Sequence, residues 1–94
     1  MAHILIKHKV NDYPVWKAVF DNFADFRKSS GEQTHQILHT ADNSNDLTLF
    51  FKWDSVENAK TFLSSSELKT AMQKAGVSEE PNIQFLNEAT QGKF

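Results

Sequence analysis

Apolar residues in this chain recur first at every second position, then at helical spacing. Two alternating runs follow across a polar turn, then helical spacing again, and last a short alternating run. That succession reads β-α-β-β-α-β, the order of the split-βαβ or ferredoxin-like unit, an α+β arrangement with an antiparallel sheet and its helices on one face. The other sheet face then needs a cover, which a second copy of the chain supplies. At 94 residues the chain is expected to be a single domain, its core spanning about 3–87 and a short C-terminal tail covering 88–94. A monomer of this size buries only roughly two-thirds of its unfolded surface, which also favours self-association.

Within 3–10, Ile4, Ile6, His8 and Val10 share one face and His3, Leu5, Lys7 and Lys9 the other, as a strand's period of two requires. Asp12 is placed to cap a helix whose first turn holds Pro14, where a missing N–H is harmless. Tyr13, Trp16, Phe20, Phe23 and Phe26 follow at spacings of three and four, and Gly31 marks the stop. Lys17 and Asp21 are neighbours on the polar side. Residues 33–40 alternate weakly and 47–53 strongly, with 42–46 as the hairpin connection. A second helix begins near Ser55 with Val56, Ala59, Phe62 and Leu63 inward. Ser65 recaps a continuation through Leu68, Met72 and Ala75 to Gly76, and Ile83 with Phe85 marks the last strand. Matching the apolar faces of the first and third strands puts Ile4, Ile6, His8, Val10, Leu47, Leu49, Phe51 and Trp53 under the helices. Leu5, Lys7, Lys9, Phe50, Lys52, Gln84 and Leu86 fall on the open face.

Charge and composition narrow the possible partners. The formal net charge is −2, with basic and acidic residues dispersed, so there is no stripe to follow a phosphate backbone and no nucleic-acid partner is expected. The absence of cysteine removes disulfides, thiolate chemistry and Cys-based zinc sites. The apolar stretch near the N-terminus is too short and interrupted for a signal peptide or membrane span, so a soluble, cytoplasmic protein with no membrane partner is expected. His35 and His39, four apart on a strand, are roughly 13 Å apart, too far to share an ion, and no metal site is expected. Met1-Ala2-His3 could offer an amine, amides and an imidazole to a cation, but a Met before Ala is commonly removed. Glu79 and Glu80 beside Pro81 read as a solvated loop.

His8 is the one titratable side chain that strand parity sends into the apolar face. Burial would keep it neutral, a form able to act as a general base; it could equally be a buried imidazole hydrogen-bonded to Tyr13, a helix-end carbonyl or water. Tyr13, Trp16, Phe20, Phe23, Phe51 and Trp53 could line a pocket for a flat aromatic ligand or simply fill the core.

Several segments give the chain a wider likeness: His8-Lys9-Val10 leading into Asp12-Tyr13 and Trp16-Lys17, then Phe26-Arg27-Lys28, Trp53-Asp54, and Glu67-Leu68 through Ala71 to Val77. In these it resembles the dimeric α+β-barrel superfamily, and within it the small proteins similar to antibiotic-biosynthesis monooxygenases. The resemblance implies a homodimer and, in each monomer, an active site between sheet and helices. It also implies a possible cofactor-independent monooxygenase activity on a small aromatic or hydrophobic substrate, with no cofactor. His8 would then be catalytic and the six aromatic residues substrate-binding. Haem-degrading relatives use an Asn on the first strand and a haem-ligating His near the second helix; residues 3–10 hold no Asn and 54–81 no His, so haem degradation is not expected. Two other roles stay open: a non-catalytic small-molecule-binding module, and a stress-related or structural dimer with no pocket.

Overall fold

The computed structural model describes residues 2–77 and 80–93. Its elements run β1 (Ala2–Lys9), α1 (Tyr13–Asn22), α2 (Ala24–Ser30), β2 (Glu32–Thr40), β3 (Asn43–Trp53), α3 (Val56–Leu63), α4 (Ser66–Ala75) and β4 (Asn82–Leu86). All strand pairs are antiparallel, in the order β2-β3-β1-β4, so β1 and β3 are central and the α+β, ferredoxin-like arrangement holds. The register sets Ile4 opposite Phe51, Ile6 opposite Leu49 and His8 opposite Leu47. Since opposed residues share a face, these side chains form one buried layer under the helices, with Ile4 and Leu47 wholly buried.

The helices depart from the sequence reading at two places. The first helical region is two helices, because Phe23 leaves helical geometry at φ −90°, ψ 3° and separates α1 from α2. Asp12 occupies the N-cap position of α1 but makes no side-chain cap; Asn45, at the start of β3, does so instead. Its Oδ1 accepts from the Tyr13 N–H at 2.8 Å, and its own carbonyl accepts from the Val10 N–H at 2.9 Å. One residue from a distant hairpin, through its side chain and its backbone carbonyl, thus ties down the turn that follows His8. Ser55 and Ser65 do cap their helices, accepting from the backbone N–H groups of Asn58 and Leu68. Lys17 pairs with Asp21 at 2.6 Å.

The hairpin is tighter than 42–46. Only Ala41 and Asp42 form the turn, and Asn43–Asp46 belong to β3 beside an irregularity between His39 and Thr40. Gly31 ends α2 with φ +125°, a conformation that suits glycine, and a Cβ there would meet the Asp54 carboxylate and lie 2.6 Å from Trp53 Nε1. That close approach lets the Trp53 indole N–H donate to the Ser30 carbonyl at 3.1 Å.

The sheet face away from the helices carries His3 stacked on Phe50, with Leu5, Leu86 and Leu38 beside them. Leu38 and Leu86 are 46 % and 38 % exposed, so this face presents an apolar row to solvent. Residues 87–93 form no helix or strand and are exposed. Met1, Glu79 and Phe94, on which parts of the N-terminal, loop and tail readings fall, lie outside the described residues. Among the described residues no helix is long and apolar enough to cross a membrane.

Candidate functional site

The space between sheet and helices is not filled. It holds a cavity of about 250 Å³ whose floor is Ile4, Ile6, His8, Leu49, Phe51 and Trp53. Its roof comes from Trp16, Val19, Phe20, Phe23 and Arg27 on one side and from Ala59, Phe62, Leu68 and Met72 on the other. The rim includes Glu80, Pro81 and Ile83, so Glu80 borders the cavity as well as the solvent. β4 explains the position of this rim: Ile83 lies opposite Ile6 on the helix-bearing face yet remains 37 % exposed.

His8 is 8 % exposed, and its ring meets the edge of Trp16 at 5.8 Å between centroids. Neither Nδ1 nor Nε2 has a hydrogen-bond partner among the described residues. Of the partners expected for a structural imidazole, Tyr13 and the helix-end carbonyls are not engaged, which leaves water. Buried polar groups are ordinarily satisfied, so both nitrogens of this cavity-lining histidine call for a partner other than the described residues, water or a ligand. Burial also holds its pKa below the ordinary imidazole value, which keeps the ring neutral and one nitrogen able to accept a proton.

Five of the six expected aromatic residues, Trp16, Phe20, Phe23, Phe51 and Trp53, line the cavity. Tyr13 does not; it stacks on Trp16 at 5.9 Å and supports that ring. The rings form a continuous wall, Trp16 on Phe20 at 4.9 Å and Phe51 against Trp53 at 6.0 Å.

Arg27, noted in the sequence only within the Phe26-Arg27-Lys28 segment and not expected at the site, lines the cavity at 4 % exposure. Its Nε donates to Glu32 Oε1 at 2.9 Å, its Nη1 donates to the Phe20 carbonyl, and its Cζ sits 3.6 Å from the centre of the Phe20 ring. Glu32 Oε2 lies 3.2 Å from His35 Nδ1. The available signal was its position seven residues after Phe20 and four after Phe23, which puts Arg27 on the aromatic stripe rather than the solvent side. Among the described residues no group of three or more His, Cys, Asp or Glu side chains is arranged to hold a metal ion.

No family model matches the chain, and no curated protein matches it. Solved structures do. SnoaB from Streptomyces nogalater, a cofactor-independent oxygenase, aligns over 96 % of this chain and 94 % of its own at a TM-score of 0.78 and 14 % identity. A proposed antibiotic biosynthesis monooxygenase from Bordetella bronchiseptica aligns over 95 % and 97 % at 0.79 and 13 % identity. One from Nitrosomonas europaea aligns over 96 % and 100 % at 0.72 and 14 % identity. The chain therefore has the ferredoxin-like fold of the antibiotic biosynthesis monooxygenase-like proteins. At these identities the likeness is one of fold.

Proposed function

We propose that the protein is a cofactor-independent, monooxygenase-like enzyme acting on a small aromatic or hydrophobic substrate, with His8 as general base. The observation that carries this reading is the unpaired, neutral His8 imidazole on the wall of an aromatic-lined cavity. Such a site suits a substrate with an acidic, ring-activated CH₂ group. His8 takes one proton, and the resulting carbanion, delocalised over the ring, supplies the electrons that reduce O₂. One oxygen atom becomes the new carbonyl; the other leaves as water with both hydrogens of the CH₂. The protein contributes a base and a dry enclosure. Trp53 and Trp16 hold the ring plane, and Tyr13 backs Trp16.

The test is oxygen uptake with quinol-like and related aromatic substrates, comparing wild type with His8→Asn. The variant keeps polar capacity and lacks the base, and its turnover is expected to fall about a hundredfold or more. Full activity in His8→Asn with unchanged stability would refute the base assignment. Ligand binding without oxygen uptake in wild type would favour the alternative, a non-catalytic small-molecule-binding module, since the cavity serves either role. The same cavity supports both readings over a stress-related or structural dimer with a filled core.

The working unit in this proposal is a cytoplasmic homodimer that closes an α+β barrel through the open sheet faces. Leu5, Phe50, Leu86 and Leu38 form an apolar row on that face, and no helix among the described residues covers it. Light scattering is expected to give twice the chain mass; a concentration-independent monomer would rule this assembly out.

A further inference from the structure

The open sheet face joins its apolar row to an excess of basic residues. Lys7 and Lys52 stand on it, and Lys9 faces Asp46, the sole acidic side chain among the described strand residues of that face. Two copies paired through this face meet each other with the same patch, so neither brings an acidic surface to balance the basic one. Lys7 and Lys52 are exposed, and stems of their length let an ammonium group stay in water at the edge of an interface.

His3 lacks that reach. It is half-buried within the single chain, stacks on Phe50 at 5.6 Å with 10° between the rings, and has a buried Nδ1 with no hydrogen-bond partner among the described residues. Its direct neighbours across the sheet are Lys52 on β3 and Leu86 on β4, and Thr34 of β2 lies beyond Lys52. Lys7 shares its strand face, and Glu88 follows two residues past Leu86 in the exposed segment after β4. The other histidines do not belong to this face: His8, His35 and His39 lie opposite Leu47, Phe51 and Leu47, on the side of the helices.

A neutral imidazole in this place is compatible with closure. A protonated one sets a like charge directly across from Lys52, at roughly 5 Å between Cβ atoms. In open solvent that repulsion is weak. When a second copy excludes the water and the effective dielectric constant drops from about 80 to about 20, it becomes about fourfold stronger. A proton on Nδ1 would in addition be a buried donor without an acceptor.

We propose that His3 makes the pairing of two copies proton-dependent: the barrel closes with both His3 rings neutral and opens when they gain protons. This rests on the reading of the open face as the homodimer interface. The separated chains bind more protons than the pair, so affinity falls as pH drops through the ordinary imidazole range near 6.5.

Sedimentation equilibrium over a dilution series at pH 7.5 and 5.5, at one ionic strength, measures the effect, with circular dichroism to verify that the dissociated chain stays folded. The dissociation constant is expected to rise about a hundredfold at pH 5.5, the worth of one excluded proton in each copy. His3→Phe preserves the stack on Phe50 and removes the titrating group, and is expected to pair equally tightly at both pH values; His3→Gln serves if that variant does not fold. Raising the salt concentration is expected to narrow the wild-type difference. Three results would overturn the inference: equal dissociation constants for wild type at the two pH values, tighter pairing at pH 5.5, or an undiminished pH dependence in the His3 variant. A dimer is present in each of these, so the assembly stands. A wild-type chain that is monomeric at every concentration and at both pH values would remove the assembly and this inference together.

Discussion

His8 and Arg27 stand on the same cavity wall, both more than nine-tenths buried, and the protein treats them in opposite ways. Arg27 is enclosed by partners: a carboxylate, a backbone carbonyl and the face of Phe20. His8 has a ring edge beside it and no hydrogen bond to either nitrogen. A permanently charged group cannot shed its charge, so its burial requires a counter-ion. An imidazole can lose its proton and be buried neutral at much lower cost. The difference is one of electrostatics: the charged group is held by a carboxylate and a carbonyl, and the neutral one is buried with no protein hydrogen bond among the described residues.

The contrast can be broken first at Arg27. Arg27→Ala strands Glu32 and frees the Phe20 carbonyl, and is expected to cost about 3–5 kcal/mol of unfolding free energy in urea titrations. A loss below 1 kcal/mol, on the order of an exposed pair, would show that the two residues are not the buried unit described. A smaller effect sharpens the His8 side. As pH falls through about 6.5 the unfolded chain binds a proton on His8 that the folded form resists, so the unfolded state holds more protons and stability falls with pH. The slope contributed is at most about 1.4 kcal/mol per pH unit. It is lost below the folded pKa and absent above the unfolded one. His8→Leu is expected to lack this component and, at neutral pH, to be at least as stable as wild type, because no hydrogen bond is removed. Equal pH profiles for the two proteins, measured by thermal unfolding, would mean that His8 titrates alike in both states.

Much of this site was legible from parity. Ile4, Ile6 and His8 alternate with Leu5 and Lys7, and Leu47, Leu49, Phe51 and Trp53 repeat the pattern, so the cavity floor followed once β1 and β3 were taken as central neighbours. What was not legible depends on contacts between distant residues. Asp12 has the chemistry of a cap and lies next to the helix, but Asn45 reaches the same N–H from the other end of a hairpin. No local rule ranks a residue 32 positions away above an adjacent one. Phe23 continues the aromatic stripe, so the periodicity shows no break where the backbone turns. Arg27 was hidden for a different reason. A basic residue on a helix is by default a solvated one, and only the presence of Glu32 just past Gly31 makes its burial affordable. Whether the aromatic stripe encloses space or fills it depends on how far the helices stand from the sheet, which no spacing encodes.

Trp16 and Trp53 are the chain's only tryptophans, and both face the cavity, one from the roof and one from the floor. The intrinsic emission of this protein therefore originates at the site itself, with no distant indole to dilute it. The Trp53 indole is hydrogen-bonded to the Ser30 carbonyl and Trp16 lies beside the His8 ring, so the two fluorophores differ in surroundings. An arriving molecule would be reported by light from the walls it touches, without a label, and the protonation of His8 by the quenching of its nearest neighbour.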